Sequence, residues 1–265
     1  MTRDLAPHLR SLLRPYTGVV TSFQQPAGGN DSDLTAFVES EHGPFFIKAM
    51  RNKPGGRRDS IIRERLINPY VHPLSPAMRW HAEDSEWIAL GFDIVAGRRA
   101  DFAPGSKDLT VVVELLDRIG GLDLPDVAQE WTERRWDRFC ADESEAELLR
   151  GDALLYTDIH ESNLIVGRQN VWAVDWSWPT KGAAFIDPAQ FAVQLVSAGH
   201  SPESAELWAG RCKAWANANP ASIDAFSAAT VRMWRVRCDR SPDATWLEAM
   251  LAAAERWADH RGVDV

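Results

Sequence analysis

One segment constrains this chain of 265 residues more than any other: an apolar run, a polar loop and a second apolar run within residues 154–166. The two runs, 153–156 and 164–166, have the length and composition of short strands. The polar side chains of residues 158–163 fall where the chain must turn between them. We therefore expect the chemistry of this protein to be centred on that turn.

The turn and its downstream segment carry two carboxylates and one amide. Asp158 and Asn163 are five residues apart, and Asp175 ends another apolar run twelve residues later. Phosphoryl transfer is accelerated mainly by positioning and charge neutralisation, so it needs a carboxylate near the acceptor hydroxyl and oxygen ligands for Mg²⁺. Asp158 fits the first role, and Asn163 and Asp175 fit the second. The spacing by itself also suits a turn in which Asp and Asn bond local backbone groups.

A lysine interrupts an apolar strand near the start of the chain. Lys48 lies in the run Phe-Phe-Ile-Lys-Ala at residues 45–49, where a charge is normally disfavoured. Kinases place a phosphate-binding lysine on such a strand and orient it with a helical glutamate. Glu64, in the helix expected over 59–71, is the natural partner, with Glu39 and Glu41 as rivals.

These residues together resemble the aminoglycoside phosphotransferase and choline kinase superfamily. Its loop reads His-Gly-Asp-(Leu/Ile)-His-x-x-Asn, and its metal strand ends in Ile-Asp-(Trp/Phe), which residues 156–163 and 174–176 match. Two departures stand out: Tyr156 and Thr157 replace His-Gly, and Ser177 replaces an acid found in many members. The resemblance is motif-specific only between about residues 154 and 189.

The resemblance implies a role for each matched residue. Asp158 would act as the base, Asn163 and Asp175 would bind Mg²⁺, and Lys48 would contact the phosphates of ATP. His160 would support the loop structurally, and Asp187 would brace it while also capping the helix before Pro188.

Two further nucleotide contacts follow from the same resemblance. The segment Gly28-Gly29-Asn30-Asp31-Ser32 would cover the phosphates, although an ordinary hairpin turn explains it equally well. Adenine would meet the backbone of four consecutive residues: Phe92, Asp93, Ile94 and Val95. All of these contacts require that one ammonium, two carboxylates and one amide from distant parts of the chain gather around one metal-bound triphosphate.

The order of elements predicts an α+β, bilobal, protein-kinase-like fold. Residues 1–97 read as a nucleotide-binding lobe, a small antiparallel sheet with one helix at 59–71, preceded by an amphipathic segment over 1–16. Its strands are expected at residues 19–24, 34–39, 45–49 and 87–95. Residues 98–265 read as a larger, mainly helical lobe for catalysis and acceptor binding, connected through 97–99.

The second lobe should combine helices with a small hairpin. Helices are expected at 109–119 and 127–139, with a strand at 171–175 and four helices after Pro188. Ser201-Pro202 and Ser241-Pro242 have the cap-then-proline pattern of helix starts. Trp208 and Trp215, seven apart, are expected on one helix, where core packing explains them better than ligand stacking.

Composition limits the partners. The formal net charge of −9 and pI near 5.3 disfavour a phosphate-neutralising surface and hence nucleic acid, and favour a small cationic acceptor. Residues 123–147, including Glu130, Glu133 and Asp137, could face that acceptor.

Cysteine usage and hydropathy suggest a cytoplasmic protein. Cys140, Cys212 and Cys238 form no C-x-x-C pair, and no run approaches the length of a membrane span. Neither a P-loop nor the H-E-x-x-H spacing of a zinc hydrolase is present. Two alternatives stay open: a regulatory, nucleotide-binding pseudokinase, and a peptide or protein kinase, although no long activation segment separates Asp175 from Asp187.

Overall fold

The computed structural model describes residues 6–26 and 32–265, which divide into two compact units. The first unit is the chain up to Ala96 together with the segment Val174–Trp178. The second unit consists of Gly97–Ala173 and Pro179–Val265. Asp175 therefore belongs to the same unit as Lys48 and Glu64, although more than a hundred residues separate them in the sequence.

The first unit is built on a five-stranded antiparallel sheet with the strand order β1-β2-β3-β5-β4. The strands are β1 (Val20–Gln24), β2 (Leu34–Ser40), β3 (Phe45–Arg51), β4 (Met78–Glu83) and β5 (Trp87–Phe92). Two helices, α1 (Pro7–Thr17) and α2 (Gly56–Val71), complete the unit. The antiparallel sheet expected from the sequence is confirmed.

The side-chain alternation of β3 decides which face of the sheet carries Lys48. Phe45, Ile47 and Ala49 belong to the hydrophobic cluster that includes Leu9 and Leu13 of α1. The intervening positions point the opposite way, and Met50 belongs to the cluster around Ile61 of α2. The two-residue period therefore places Lys48 on the α2 face of a central strand.

Two strands of this sheet differ from the sequence expectation. The strand expected over 87–95 ends at Phe92. Just beyond it, the Asp93 N–H donates to the carbonyl of Ala77, and the Asp93 carboxylate accepts two bonds of 2.6 Å from Arg79. Strand β4 was not anticipated. It lies at the sheet edge and has no β-branched residue, and only its alternating burial at Trp80 and Ala82 shows the strand period.

The second unit contains two small antiparallel sheets. Their strands are β6 (Arg98–Arg99), β7 (Ala153–Leu155), β8 (Leu164–Val166), β9 (Val171–Ala173) and β10 (Thr180–Gly182). β8 is the middle strand between β6 and β9, and β10 pairs with β7. The polar turn between β7 and β8 thus has a short sheet on each side, as its flanking apolar runs predict.

Helices are the main regular structure of the second unit. They are α3 (Asp108–Ile119), α4 (Glu143–Glu147), α5 (Ile186–Ser197), α6 (Pro202–Ala209), α7 (Lys213–Ala216), α8 (Pro220–Arg240) and α9 (Thr245–His260). Helices α5, α8 and α9 pack together around the fully buried rings of Phe226 and Trp257. The α+β class, with a small antiparallel sheet followed by a mainly helical part, is confirmed.

The prediction of a helix over residues 127–139 is wrong. Two 3₁₀ turns, Asp126–Ala128 and Asp137–Phe139, stand at its ends. Between them the backbone pairs with β10: the N–H of Glu133 donates to the carbonyl of Lys181 at 2.8 Å, and that of Lys181 donates to Trp131 at 2.8 Å. The apolar spacing matched a helix, but the backbone groups are used by a distant strand.

Two further expectations about the C-terminal helices are wrong, and one is right. Ser201 does cap α6, with its hydroxyl accepting from the N–H of Ser204. Ser241 instead closes α8 by donating its N–H to the carbonyls of Arg237 and Cys238, so α9 begins only at Thr245. Trp208 and Trp215 lie on different helices, α6 and α7. Within the described ranges, none of the helices has both the length and the apolar character needed to cross a bilayer.

Candidate functional site

Lys48 and Glu64 form a buried ion pair in the first unit. The Nζ atom of Lys48 donates to Oε1 of Glu64 at 2.7 Å and to Oε2 at 3.0 Å. Both side chains are almost fully buried, with 6 % and 4 % of each residue exposed. The helix expected from the sequence thus carries the partner of Lys48, and neither Glu39 nor Glu41 takes that place.

Asp175 joins this pair from a distant part of the chain. Its Oδ1 lies 2.8 Å from Nζ of Lys48. The Ser177 hydroxyl donates to the same Oδ1 and lies 3.5 Å from Oε2 of Glu64. Asp175 has a φ of 62°, a left-handed conformation that Asp tolerates better than most residues. The sequence singled out Ser177 only as a departure from the family pattern, whereas here it bridges two acidic side chains.

One ammonium is shared by two carboxylates in this cluster, and the pKa values reflect it. Burial disfavours the charged form of Lys48, but Asp175 and Glu64 outweigh burial and raise the pKa of Lys48 above its ordinary value. Burial raises the pKa of Glu64 to about 7, with Lys48 opposing the rise and Asp175 adding to it. The cluster therefore holds a charged lysine and a proton-binding glutamate.

The second group of site residues is the turn after β7, in the second unit. The side-chain amide of Asn163 donates to Oδ2 of Asp158 at 2.8 Å and to its carbonyl at 3.3 Å. Asn163 is buried, whereas 44 % of the Asp158 side chain is exposed. The 3₁₀ turn Glu161–Asn163 closes this loop. Asp158 is thus held in place and still accessible, as a base must be.

His160 lies inside the same loop. Its Nδ1 is 2.7 Å from the Ser162 hydroxyl, and its Nε2 is 3.5 Å from Oδ1 of Asp158. Both contacts are local, and they orient the imidazole against the carboxylate that the sequence predicts as the base. This placement is compatible with the supporting role implied by the family resemblance.

Asp187 contacts the loop from the first turn of α5. Its two oxygens accept the backbone N–H groups of Tyr156 and Thr157 at 2.9 and 2.8 Å. Thr157 has a φ of 66°, which is unfavourable for a β-branched residue. Burial raises the pKa of Asp187 to about 6, and the two backbone hydrogen bonds oppose that rise. The buried carboxylate is therefore the group that fixes a strained entry to the loop.

Two of the three acidic residues named as candidates for the acceptor side, Glu133 and Asp137, have basic partners within the second unit. Glu133 is 1 % exposed, accepts the Thr180 hydroxyl at 2.7 Å and forms a close ion pair with Arg135. Asp137 accepts a bond of 2.6 Å from Arg150. Glu130 is exposed. The sequence could not show that Glu133 is a buried structural carboxylate.

The remaining predicted nucleotide contacts are only partly described. Gly28, Gly29 and Asn30 lie outside the described residues. Phe92 is buried at the end of β5, Asp93 is bound by Arg79, and Ile94 is 38 % exposed. Val95 is half-buried. The chain leaves the sheet as irregular backbone only after Phe92, and the Asp93 N–H still donates to the carbonyl of Ala77 at 2.9 Å.

The two residues that the sequence predicts as metal ligands each present an oxygen atom within their own unit. Asp175 presents a partly exposed carboxylate in the first unit, and Asn163 presents an amide oxygen in the second, since its nitrogen bonds Asp158. These oxygen donors suit Mg²⁺, which takes few protein ligands besides phosphate and water. Over residues 6–26 and 32–265, no group of three or more His, Cys, Asp or Glu side chains is arranged to hold a metal ion.

Sequence comparisons identify no relative of this chain. No protein-family model matches it, and no curated protein matches it either. The fold, in contrast, is shared with solved structures over nearly the whole chain.

Three of these structures illustrate the likeness. Choline kinase LicA from Streptococcus pneumoniae matches with a TM-score of 0.67 at 10 % identity, covering 96 % of this chain and 98 % of the other. Spectinomycin phosphotransferase APH(9)-Ia, in complex with ADP and spectinomycin, gives 0.62 at 14 % identity, covering 97 % and 94 %. Macrolide 2'-phosphotransferase MphH from Brachybacterium faecium gives 0.56 at 16 % identity, covering 94 % and 98 %.

The likeness extends over both units and involves small-molecule phosphotransferases with different acceptors. At these identities it concerns the fold and leaves the chemistry to be argued from the residues. The chain therefore has the fold of choline kinase and the aminoglycoside phosphotransferases, as its loop motifs indicate.

Proposed function

We propose that this protein is a phosphotransferase that moves the γ-phosphoryl group of ATP to a hydroxyl group of a small molecule, with Mg²⁺ as the metal. The observation that carries the proposal is the contact of Lys48 with both Glu64 and Asp175. A buried ammonium between a helical glutamate and an accessible aspartate is the arrangement that kinases use for nucleotide phosphates. The fold it shares with known small-molecule phosphotransferases supports the same reading.

Each side chain has a distinct task in this proposal. Asp175 and Asn163 hold Mg²⁺, which when bound neutralises charge on the phosphates. Lys48 contacts the phosphates, and Glu64 orients Lys48. The backbone at Phe92, Asp93, Ile94 and Val95 contacts the adenine, and the turn at Gly28, Gly29 and Asn30 covers the phosphates.

Asp158 is the base of the proposed reaction. Its accessible carboxylate accepts the proton of the acceptor hydroxyl while Asn163 and His160 hold its orientation. Asp187 keeps the loop in place through the backbone of Tyr156 and Thr157. The oxygen of the acceptor then attacks the γ-phosphorus in line with the leaving ADP oxygen.

Cellular location follows from the substrate and from the thiols. ATP is supplied in the cytoplasm, and the three cysteines of the chain are free. We place the proposed activity there.

The proposal is tested by acceptor-dependent formation of ADP. The full chain is incubated with ATP, with and without Mg²⁺, and with separate acceptors: aminoglycosides, peptide antibiotics, amino alcohols, sugars and sugar acids. A product with one added phosphate, seen by mass spectrometry and formed only with Mg²⁺, is the expected result. Binding of ATP with no transfer to any acceptor would instead favour the regulatory pseudokinase.

A further inference from the structure

The 3₁₀ turn Glu161–Asn163 is attached at both ends to the segment that follows β6. The N–H of Phe102 donates to Oε1 of Glu161 at 2.7 Å, at the start of the turn. The N–H of Ala100 donates to the carbonyl of Leu164 at 2.8 Å, directly after the turn. The two bonds therefore fix where the turn begins and where it ends.

The carbonyl group of Phe102 is bonded to a buried histidine. His200 lies between α5 and α6 and is 3 % exposed. Its Nε2 is 3.0 Å from the carbonyl oxygen of Phe102, and its Nδ1 is 3.1 Å from the Ser204 hydroxyl of α6. A carbonyl oxygen can only accept, so Nε2 carries the proton and Nδ1 accepts from Ser204. Both backbone groups of Phe102 are thus bonded, one to Glu161 and the other to His200.

His200 and Phe102 are themselves anchored to the packed helices. The N–H of His200 donates to the carbonyl of Leu195 in α5 at 3.0 Å, and its carbonyl accepts from Arg256 of α9 at 3.3 Å. The buried ring of Phe102 meets that of Phe191 in α5 edge to face, with centroids 5.3 Å apart. Phe102 therefore connects the turn to the helical core of the second unit.

This connection differs from the support that Asp187 gives. Asp187 bonds the backbone before Asp158, at Tyr156 and Thr157, whereas Glu161 holds the chain after it. Glu161 is exposed, so its carboxylate can serve in two ways, as a contact for a cationic ligand or as a support for its own loop. The bond from Phe102 already uses one of its oxygens for the second purpose.

We propose that Glu161 and His200 are positioning residues for Asp158. Through the backbone of Phe102 they fix the turn in which Asn163 orients the Asp158 carboxylate. This inference rests on the proposed transferase function, in which Asp158 is the base. Misplacing a catalytic group by about 1 Å can lower turnover by about 10²-fold. Loss of either support should therefore lower kcat and leave KM unchanged.

The first part of the test separates the hydrogen bond of Glu161 from its charge. The full chain is assayed with ATP, Mg²⁺ and the acceptor that gives the highest turnover in the panel above. Glu161→Ala should lower kcat by roughly tenfold to 100-fold, with unchanged KM for ATP and for the acceptor. Glu161→Gln should restore kcat, because its amide oxygen still accepts the Phe102 N–H. Glu248→Ala removes an exposed acid from the first turn of α9 and, as the matched control, should keep wild-type kcat.

The second part tests whether the two residues act along one route. His200→Leu removes the donor to the Phe102 carbonyl and should also lower kcat. Because both residues act through Phe102, combining His200→Leu with Glu161→Ala should lower kcat by less than the product of the two single losses. Thermal unfolding shows whether each variant is folded at the assay temperature. Glu161 is exposed, so Glu161→Ala decides the matter if His200→Leu is too unstable to assay.

The third part follows the turn without any turnover. The N–H of Asn163 donates to the carbonyl of His160 at 3.0 Å inside the loop, and its hydrogen exchange reports whether the turn has loosened. Exchange at Asn163 should be faster in Glu161→Ala than in the wild-type protein and in Glu161→Gln. In Glu248→Ala it should match the wild-type rate.

Four results would overturn the inference. They are wild-type kcat in Glu161→Ala, equal loss of kcat in Glu161→Gln and Glu161→Ala, a raised KM for the acceptor with unchanged kcat, and unchanged exchange at Asn163. The second would assign the charge of Glu161 to the reaction, and the third would make Glu161 an acceptor contact. Losses that multiply fully in the combined variant would reject the shared route through Phe102.

Failure of the proposed function gives a different result. The wild-type protein would then transfer no phosphate to any acceptor of the panel, and the positioning role would fall with it. Wild-type transfer that Glu161→Ala fully retains would instead reject the positioning role alone.

Discussion

The Nζ atom of Lys48 lies 2.7 Å from Oε1 of Glu64 within the first unit. Because Asp175 approaches the same ammonium at 2.8 Å, the pair is part of a cluster with one positive and two negative groups. Such a cluster is sensitive to the removal of its cation, to pH and to the replacement of either acid.

Removal of the cation gives the first prediction. Lys48→Met leaves Glu64 buried without its ammonium, so the free energy of unfolding at pH 8 should fall by about 3–5 kcal/mol. Glu64 has a pKa raised to about 7, above its value of 4.5 in the unfolded chain, so the folded state takes up protons as pH falls. Without Lys48 that pKa rises further, and the loss of stability should be smaller at pH 5.

Urea unfolding at pH 5 and pH 8 measures this difference. Lys53→Met, at an exposed lysine of the same unit, serves as the control and should change little at either pH. Equal destabilisation by Lys48→Met at both pH values would mean that Glu64 does not gain a proton.

Replacement of the accessible acid gives the second prediction. Asp175→Ala should abolish the Mg²⁺-dependent part of ATP binding, because the proposed metal loses its only carboxylate ligand. Calorimetry with and without Mg²⁺ measures it, with Asp59→Ala, an exposed acid at the start of α2, as the control. An unchanged Mg²⁺ effect in Asp175→Ala would remove Asp175 from the metal site.

The third prediction concerns the left-handed backbone at Thr157. A non-glycine residue in the left-handed region destabilises the folded state by about 1–2 kcal/mol. Glycine avoids this strain but lowers the free energy of unfolding by about 0.4–1 kcal/mol, because its unfolded chain has more conformational freedom. Thr157→Gly should therefore be more stable than Thr157→Ala by about 1 kcal/mol. At Thr110, an exposed residue of α3, the order should be reversed. Chemical denaturation of the four variants measures these differences. If Thr157→Ala were more stable than Thr157→Gly, the backbone at residue 157 would not be strained.

The fourth prediction concerns Asp187. In Asp187→Asn, the amide oxygen can still accept one of the N–H groups of Tyr156 and Thr157, but the amide nitrogen faces the other N–H group and cannot accept it. The free energy of unfolding should therefore fall by about 1–3 kcal/mol. The folded pKa of Asp187 is about 6 against 3.8 in the unfolded chain, so its contribution to stability is greatest at low pH and declines as pH rises from about 4 to 6. Thermal unfolding across this range should show that the stability of Asp187→Asn depends less on pH than that of the wild-type protein. If the two curves of stability against pH run parallel, Asp187 does not titrate in this range.

The site motifs were the most predictable part of the molecule. The turn between β7 and β8 follows from two apolar runs and the polar residues between them, and Lys48 is conspicuous because a charge interrupts an apolar strand. Both signals are local in sequence. The position of Glu64 on the helix after that strand also follows from local spacing, which is why the pairing could be expected.

Features set by distant backbone were less predictable. Residues 127–139 have helical spacing, yet Glu133 bonds the backbone of Lys181, and this pairing leaves no sign in the local sequence. Ser241 precedes a proline like a helix cap, but it closes α8. The role of Ser177 depends on its contact with Glu64, far away in the chain, so residue type alone could not reveal it.

The central claim is transfer of phosphate to a hydroxyl with Asp158 as the base, and one measurement tests it most directly. Turnover of the best acceptor is compared between wild type, Asp158→Asn and Asp152→Asn, the last at a 90 % exposed side chain near the loop. The account predicts that Asp158→Asn lowers turnover by roughly 10²-fold to 10⁴-fold while ATP binding persists and Asp152→Asn stays active. Full turnover in Asp158→Asn, or no acceptor-dependent transfer by the wild-type protein, would contradict it.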